Sequence, residues 1–242
     1  MDGSKPASIG RAGTGPDPGL PANTMSFLGV LMLETQFPRP LGDIGNAQSF
    51  AMPVRHRTVR GATAQAVVRG RAQGLLGAFV DAARELVSDG AVAITTCCGF
   101  MALMQRELQA ALPVPVWTSS LLWLAELSQP GVITIDATAL RAEHFRAVGA
   151  DTATPIEGIT TTSALYRTLM QDQTSLDMPA AETEVLAAAA RLLHRHPGLQ
   201  TLVLECTNLP PYADALRRAT GLPVHDVLTL VHQRWQALKS PM

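Results

Sequence analysis

The feature that most constrains this chain is a unit that occurs twice in its 242 residues. Each copy consists of a predicted helix, a short apolar strand, a cysteine, a second helix and a further strand. Cys98 lies 14 residues after Arg84 in the first copy, and Cys206 lies 15 residues after Arg191 in the second. A cysteine at the same joint of both copies is uncommon in a chain that has three cysteines in all. The repeat predicts two α/β halves related by a pseudo-two-fold axis.

The rest of the pattern indicates the same fold class. Short runs rich in Val, Ile and Leu alternate with helical periodicity and are separated by Gly or Pro, which is typical of parallel sheets covered by helices. The predicted strands are 26–33, 91–96, 114–117, 132–135, 201–204 and a run from 222, and the predicted helices are 74–88, 100–111, 139–147, 179–196, 210–220 and 228–238. Residues 1–24 contain five Gly and four Pro and predict a flexible tail.

Composition argues against several classes of protein. Lys and Arg number 19 and Asp and Glu number 20, and this balance argues against a nucleic-acid-binding protein and against a polybasic membrane-surface protein. No apolar run approaches the roughly 18 residues that a membrane helix needs, and the N-terminus lacks the pattern of a secretory signal. The three cysteines form no C-x-x-C pair and the six His lack metal-ligand spacing. We therefore expect a cytoplasmic protein with no disulfide framework and no metal.

Each cysteine joint combines the end of a strand with the start of a helix. Ligands bind at this edge of open α/β sheets, and the free N–H groups of a helix start favour a thiolate. If the two halves face each other, Cys98 and Cys206 point into one cleft from opposite sides. One thiolate can then remove a proton from the carbon next to a carboxylate, while the other thiol returns a proton on the opposite face. This arrangement predicts racemisation or epimerisation of a small carboxylate without a cofactor.

Three segments carry a resemblance to a known family: residues 95–101 (TTCCGFM), residues 204–212 (LECTNLPPY) and the loop 37–46 (FPRPLGDIGN). From about Leu28 to Leu230 the chain resembles the aspartate/glutamate/hydantoin racemase superfamily, in its Asp/Glu racemase-like subgroup. The resemblance implies two Rossmann-like halves with the active cleft between them, cofactor-independent catalysis and a homo-oligomer, often a dimer. It also implies a first domain of residues 25–128 plus 223–242 and a second domain of residues 129–222.

The motif after the first cysteine departs from the family. Family racemases have Asn-Thr there, whose side chains hold the substrate, whereas this chain has Gly99 and Phe100. We therefore expect an anion site made mainly of backbone N–H groups and a more apolar pocket, which argues against aspartate or glutamate as the substrate. The family pattern places the reactive thiol directly before Gly and so assigns Cys98. Cys97 is expected to face into the sheet or the cleft wall.

Four polar residues complete the set of candidate substrate contacts: Thr207, Asn208, Asn46 and Ser119. Each has a structural alternative. Thr207, Asn208 and Ser119 stand at predicted helix starts, where such residues are ordinary caps. Asn46 and the nearby Asp43 can shape a turn through bonds from their side chains to the backbone.

The sequence thus predicts an isomerase, a racemase or epimerase of a small carboxylate, with Cys98 and Cys206 as its acid/base pair. A single-cysteine decarboxylase or a cis–trans isomerase of the same superfamily is an alternative, since one thiol can suffice there. A non-catalytic ligand-binding protein on the same fold is another. Glu205 is expected on the opposite face of its strand from Cys206, as a bonding partner or as a residue that tunes the thiol.

Overall fold

The computed structural model describes residues 26–239, so the tail predicted at residues 1–24 lies outside the described residues. Eight strands form two sheets of four. The first sheet contains β1 (Phe27–Leu33), β2 (Val54–Val59), β3 (Ala91–Thr96) and β4 (Val116–Trp117). The second contains β5 (Pro130–Thr134), β6 (Ile156–Gly158), β7 (Thr201–Leu204) and β8 (Val224–His225).

The two sheets share one topology. Their spatial orders are β2-β1-β3-β4 and β6-β5-β7-β8, and every strand pair is parallel. Cys98 lies two residues beyond β3 and Cys206 lies two residues beyond β7, so the two thiols follow equivalent strands. The prediction of an α/β fold with two parallel-sheet halves is confirmed, and the repeat in the sequence is a repeat of the fold.

Seven α-helices flank the sheets within the described residues. They are α1 (Leu76–Ser88), α2 (Gln105–Ala111), α3 (Ala142–Ala147), α4 (Ala164–Met170), α5 (Met178–Arg195), α6 (Ala213–Thr220) and α7 (Val227–Lys239). The long helix α5 begins at Asp177, whose carboxylate accepts the backbone N–H of Ala180 and caps the first turn. No helix in residues 26–239 combines the length and the apolar character needed to cross a bilayer.

Short 3-10 and π-helical turns lie near the carboxyl ends of the strands. Gly99–Met104 follows the first thiol, Ser120–Ala125 follows β4, and Pro210–Tyr212 follows the second thiol as 3-10 turns. Gln65–Arg69 is a π-helical turn after β2, a geometry that occurs frequently at functional sites. The turn after Cys98 takes the place of the first part of the helix predicted at 100–111.

Two differences from the sequence prediction have physical causes. The edge strand β2 escapes prediction because its exposed Arg55 and half-buried Arg57 interrupt any continuous apolar run. Strand β8 pairs with β7, so residues 224–225 lie in the second sheet. The predicted domain boundary at residue 223 had placed them in the first domain. Helix α7 lies against the first half, where His232 Nε2 accepts the backbone N–H of Ala51 at 3.3 Å. The domain division otherwise stays a prediction.

Candidate active site

A partly open cavity lies where the carboxyl ends of the two sheets meet, with about 360 Å³ of space when its opening toward solvent is included. Its apolar wall comes from both halves: Leu33, Phe37, Ala64 and Val68 from the first, and Ile135, Leu169 and Met170 from the second. All three thiols of the chain open onto it, together with three residues that follow them: Gly99, Thr207 and Asn208. The repeat therefore brings its two equivalent cysteines to one small and largely apolar space.

Cys98 and Cys206 occupy equivalent environments. Their residues are only 8% and 7% exposed, and the backbone of the residue two positions later, Phe100 or Asn208, acts on the pKa of each thiol. Burial raises the pKa of both thiols, and the charge of Glu205 raises it further, whereas the two backbone N–H groups lower it. Burial in the free protein thus disfavours the thiolate form of both groups.

A chain of polar contacts distinguishes Cys206 from Cys98. The Cys206 thiol donates to Asn208 Oδ1 at 3.5 Å, and Asn208 Nδ2 donates to Asp43 Oδ2 at 2.6 Å. Asp43 is 1% exposed and also accepts from Arg39 Nη1 at 3.1 Å and from the backbone N–H of Gly45 at 2.6 Å. Because Asp43 can only accept from the amide nitrogen, it turns the amide oxygen of Asn208 toward Cys206. This contact favours the protonated form of Cys206.

Replacing Asp43 with asparagine is expected to lower the free energy of unfolding by about 3 kcal/mol, because it leaves the buried Arg39 without its counter-charge. Urea denaturation measures the change. The matched control is Asp214→Asn, which breaks an exposed pair with Arg217 at an aspartate side chain that is 79% exposed and is expected to cost under about 0.5 kcal/mol. Equal and small effects of the two substitutions would contradict the role of Asp43.

Cys97 lies in the cavity wall, one of the two placements expected for it. Its sulfur accepts the backbone N–H of Leu33 at 3.0 Å and lies 4.0 Å from Arg39 Nη2. Burial raises the pKa of Cys97, while the charge of Arg39 and the N–H of Leu33 oppose the rise. Cys97 thus joins the polar chain that begins at Cys206.

Glu205 is fully buried beside both thiol-bearing turns. Its Oε2 accepts the hydroxyl of Thr134 at 2.6 Å, and its Oε1 has no hydrogen-bond partner among the described residues. Burial raises the pKa of Glu205 to about 8, although the Thr134 hydroxyl opposes the shift. A Cβ atom at Gly99 would lie 2.1 Å from the backbone oxygen of Glu205 and 2.3 Å from Oε1. Position 99 therefore admits only glycine while Glu205 keeps this place.

Five of the eight predicted site residues line the cavity: Cys98, Cys206, Gly99, Thr207 and Asn208. The hydroxyl of Thr207 already donates to the backbone oxygen of Cys97, so its proton is not available to a ligand.

The other three predicted site residues do not line the cavity. Phe100 packs edge-on against His144, with ring centroids 5.3 Å apart. Ser119 accepts the N–H of Leu121 at 3.1 Å as a cap, and Asn46 accepts the N–H of Gln48 at 2.9 Å. For Ser119 and Asn46 the observed contacts are those of a helix cap and of a turn-shaping side chain, which were the alternatives to substrate binding.

An ionic cluster joins two elements at the edge of the cavity, the π-helical turn and α4, and no sequence pattern predicted it. Arg69, at the end of the π-helical turn, pairs with Asp136 at 2.5 Å and donates to the hydroxyl of Tyr166 at 2.6 Å. The Tyr166 hydroxyl in turn donates to Asp136 at 3.1 Å. Burial acts to raise the pKa of Asp136, but bonds from Thr138 and the charge of Arg69 hold it below its usual range. Among residues 26–239, no group of three or more His, Cys, Asp or Glu side chains is placed to hold a metal ion.

Comparison with known proteins assigns the chain to a family. It is 31% identical over 233 residues to the dimethylsulfoniopropionate lyase of Durusdinium sp. clade D, a match that covers 88% of this chain and 75% of that protein. The chain belongs to the dimethylsulfoniopropionate lyase family. It is also 29% identical over 225 residues to dimethylsulfoniopropionate lyase 3 of Emiliania huxleyi, a match that spans 84% of this chain and 57% of that longer protein. No protein-family model matches the chain.

Solved structures confirm the racemase-like fold. A mutant of arylmalonate decarboxylase superposes with a TM-score of 0.60 at 14% identity, covering 88% of this chain and 92% of that one. Glutamate racemase from Thermus thermophilus superposes with a TM-score of 0.55 at 19% identity, covering 88% and 80%. The resemblance to the Asp/Glu racemase superfamily is therefore confirmed, and at these identities it concerns the fold alone.

The predicted activity is wrong. The curated relatives are named lyases of dimethylsulfoniopropionate, so the racemase, epimerase and isomerase assignments do not stand. The decarboxylase, the cis–trans isomerase and the non-catalytic protein are not what these relatives are named for either. The missing Asn-Thr after Cys98 argued against aspartate or glutamate as the substrate but did not prevent the racemase prediction.

Proposed function

We propose that this chain cleaves dimethylsulfoniopropionate, or a closely related β-sulfonium carboxylate, by elimination. The observation that carries the proposal is the placement of Cys98 and Cys206, from two equivalent strands, in the wall of one buried cavity. The membership of the lyase family adds the substrate class.

The reaction needs one base and no cofactor. A thiolate removes a proton from the carbon next to the carboxylate, and the electron pair forms the double bond to the neighbouring carbon. The bond from that carbon to the sulfonium sulfur breaks, and its electrons leave with neutral dimethyl sulfide. The other product is acrylate, and the base is left as a thiol that returns its proton to water. Charge balances, since a zwitterion and a thiolate give acrylate and two neutral molecules.

Cys98 is the base in this account. The Cys206 thiol is bonded to the acceptor oxygen of Asn208, which favours its protonated form, whereas none of the described hydrogen bonds uses the Cys98 thiol as a donor. Cys206 therefore serves as a donor toward the negative charge that develops on the substrate carboxylate. The backbone N–H groups of Gly99 and Thr207, directly after the two thiols, are assigned to the same carboxylate.

The substrate itself helps to ionise the thiol. Burial raises the pKa of Cys98 well above its ordinary value in the free protein. A bound sulfonium brings a positive charge into this largely apolar cavity, and an opposite charge close to a thiol favours the thiolate. The methyl groups of the sulfonium fit the apolar wall formed by Phe37, Val68 and Leu169. The net neutral charge of the zwitterion suits a cavity with little free charge.

Headspace gas chromatography on the purified full chain tests the proposal. We expect dimethyl sulfide from dimethylsulfoniopropionate and no methanethiol from 3-methylthiopropionate, because the methanethiolate that would have to leave there is a poor leaving group. Absence of dimethyl sulfide from folded protein across pH 6–9 would overturn the proposed function.

A further inference from the structure

The carboxyl group of Glu205 lies at the junction of the two thiol-bearing turns. Glu205 directly precedes Cys206, and its side chain fills the space beside Gly99, which directly follows Cys98. A Cβ atom at Gly99 would stand 2.3 Å from Glu205 Oε1. The carboxyl thus occupies the place where the Asn side chain of the racemase motif would begin. One buried acid replaces that side chain in this chain and touches both halves of the site.

The surroundings of Glu205 contain hydroxyl groups and thiols and supply no cation. Thr134 at the end of β5 donates to Oε2, and Ser120 of the turn after β4 donates at 3.5 Å to the backbone oxygen of Glu205. From the turns on either side, the titratable groups that face it are Cys98 and Cys206. Among the described residues, only burial and the Thr134 hydroxyl shift the pKa of Glu205, which rises to about 8.

The influence on the thiols is strong because Glu205, Cys98 and Cys206 are all buried. After burial itself, the charge of Glu205 is the largest cause that raises the pKa of Cys98 and of Cys206. Two negative charges in one buried site oppose each other, so the carboxylate and a thiolate rarely coexist. A neutral carboxylic acid has no such effect.

We propose that Glu205 is a positioning residue that controls the ionisation of the two thiols: as a neutral acid it allows Cys98 to become a thiolate, and as a carboxylate it holds both thiols protonated. The importance of Glu205 for catalysis rests on the proposed lyase function. Its effect on the reactivity of the thiols does not, because that effect is a property of the free protein. It also gives a reason for glycine at position 99, since a larger residue would displace the acid.

Alkylation by iodoacetamide measures the thiolate population without substrate. The rate is followed from pH 6 to pH 10 on the full chain, and fragment mass spectrometry reports Cys98 and Cys206 separately. Glu205→Gln mimics the neutral acid at every pH. We expect the wild type and this variant to react at the same rate below about pH 7 and to diverge above pH 8, with the variant up to about tenfold faster at pH 9.

Thr134→Val provides a second and independent variant. It removes the hydroxyl that lowers the pKa of Glu205, so the pH at which the wild-type profile flattens is expected to move upward. Thr220→Val is the matched control, because the Thr220 hydroxyl bonds to Leu216 O at the end of α6, and its profile is expected to match that of the wild type.

Each outcome decides between the two claims. Superimposable profiles of the wild type and Glu205→Gln up to pH 10 would overturn the role of Glu205. If Glu205→Gln does not fold, an unchanged profile of Thr134→Val would overturn it. Divergent profiles in a protein that releases no dimethyl sulfide would support the control by Glu205 and overturn the proposed lyase function instead.

Discussion

Replacing Cys98 with serine is expected to reduce dimethyl sulfide release by about 10³-fold, a typical effect of losing a general base. A serine hydroxyl is a far weaker acid than a thiol, so the variant cannot supply an anionic base at neutral pH. None of the described hydrogen bonds uses the Cys98 thiol as a donor, so the substitution should leave the fold intact. Headspace gas chromatography measures the rate, and a thermal unfolding curve that matches the wild type establishes that the variant is folded.

The matched control is the same substitution at the other thiol. Cys206→Ser keeps a hydroxyl whose single proton can turn from Asn208 Oδ1 to the substrate carboxylate, and we expect a loss of less than about tenfold. Cys206→Ala removes the donor and is expected to lose about 10²-fold, as donors to a developing anion commonly do. Serine tolerated at Cys98 but not at Cys206 would reverse the two roles.

Replacing Gly99 with alanine is expected to lower the free energy of unfolding by about 3 kcal/mol, at the upper end of common overpacking costs. The added Cβ would lie 2.1 Å from the backbone oxygen of Glu205, and neither backbone can yield without moving a thiol-bearing turn. Urea denaturation gives the loss of stability, and we expect dimethyl sulfide release to fall as well.

Gly77→Ala is the control for this substitution. Gly77 lies inside α1, and nothing stands within 4 Å of a Cβ atom there. Alanine should therefore raise the free energy of unfolding by about 0.5–1 kcal/mol, the usual gain over glycine in a helix. Similar losses at both positions would contradict the close approach of Glu205 to Gly99.

The sequence predicts the fold well because each repeated unit is a short continuous stretch of the chain. Each unit of helix, strand, cysteine, helix and strand spans fewer than 50 residues, and the apolar runs of β1, β3, β5 and β7 are buried on both faces, as parallel strands are. Cys98 and Cys206 come together because equivalent strands end at the same edge of each sheet. Strand β2 could not be found in this way, since its polar residues give the pattern of an exposed edge.

The polar part of the site depends on contacts that the sequence does not encode locally. The bond from Asn208 to Asp43 joins residues 165 positions apart, and the cluster of Arg69 with Asp136 and Tyr166 joins the two halves. The space beside Gly99 that receives Glu205 exists only once the halves close. These contacts depend on how the two sheets pack, and the hydrophobic periodicity of the sequence does not show that packing.

The reaction class was missed for a chemical reason. Racemisation and elimination both begin with removal of the proton next to a carboxylate, and the same thiols suit that step. They differ in whether the neighbouring carbon bears a leaving group, which is a property of the substrate. Two features of this chain relate to that difference. The apolar wall around Phe37 and Leu169 suits the methyl groups of a sulfonium leaving group, and the Asn-Thr of the racemases is missing after Cys98.

The fate of the α-hydrogens tests the central claim most directly. Dimethylsulfoniopropionate carrying two deuterium atoms at the carbon next to the carboxylate is incubated with the purified chain, and the products are examined by NMR and mass spectrometry. Elimination predicts dimethyl sulfide together with acrylate that retains one deuterium at that carbon. A product that retains both deuterium atoms, such as 3-hydroxypropionate from displacement by water or 3-methylthiopropionate from loss of a methyl group, would contradict the account.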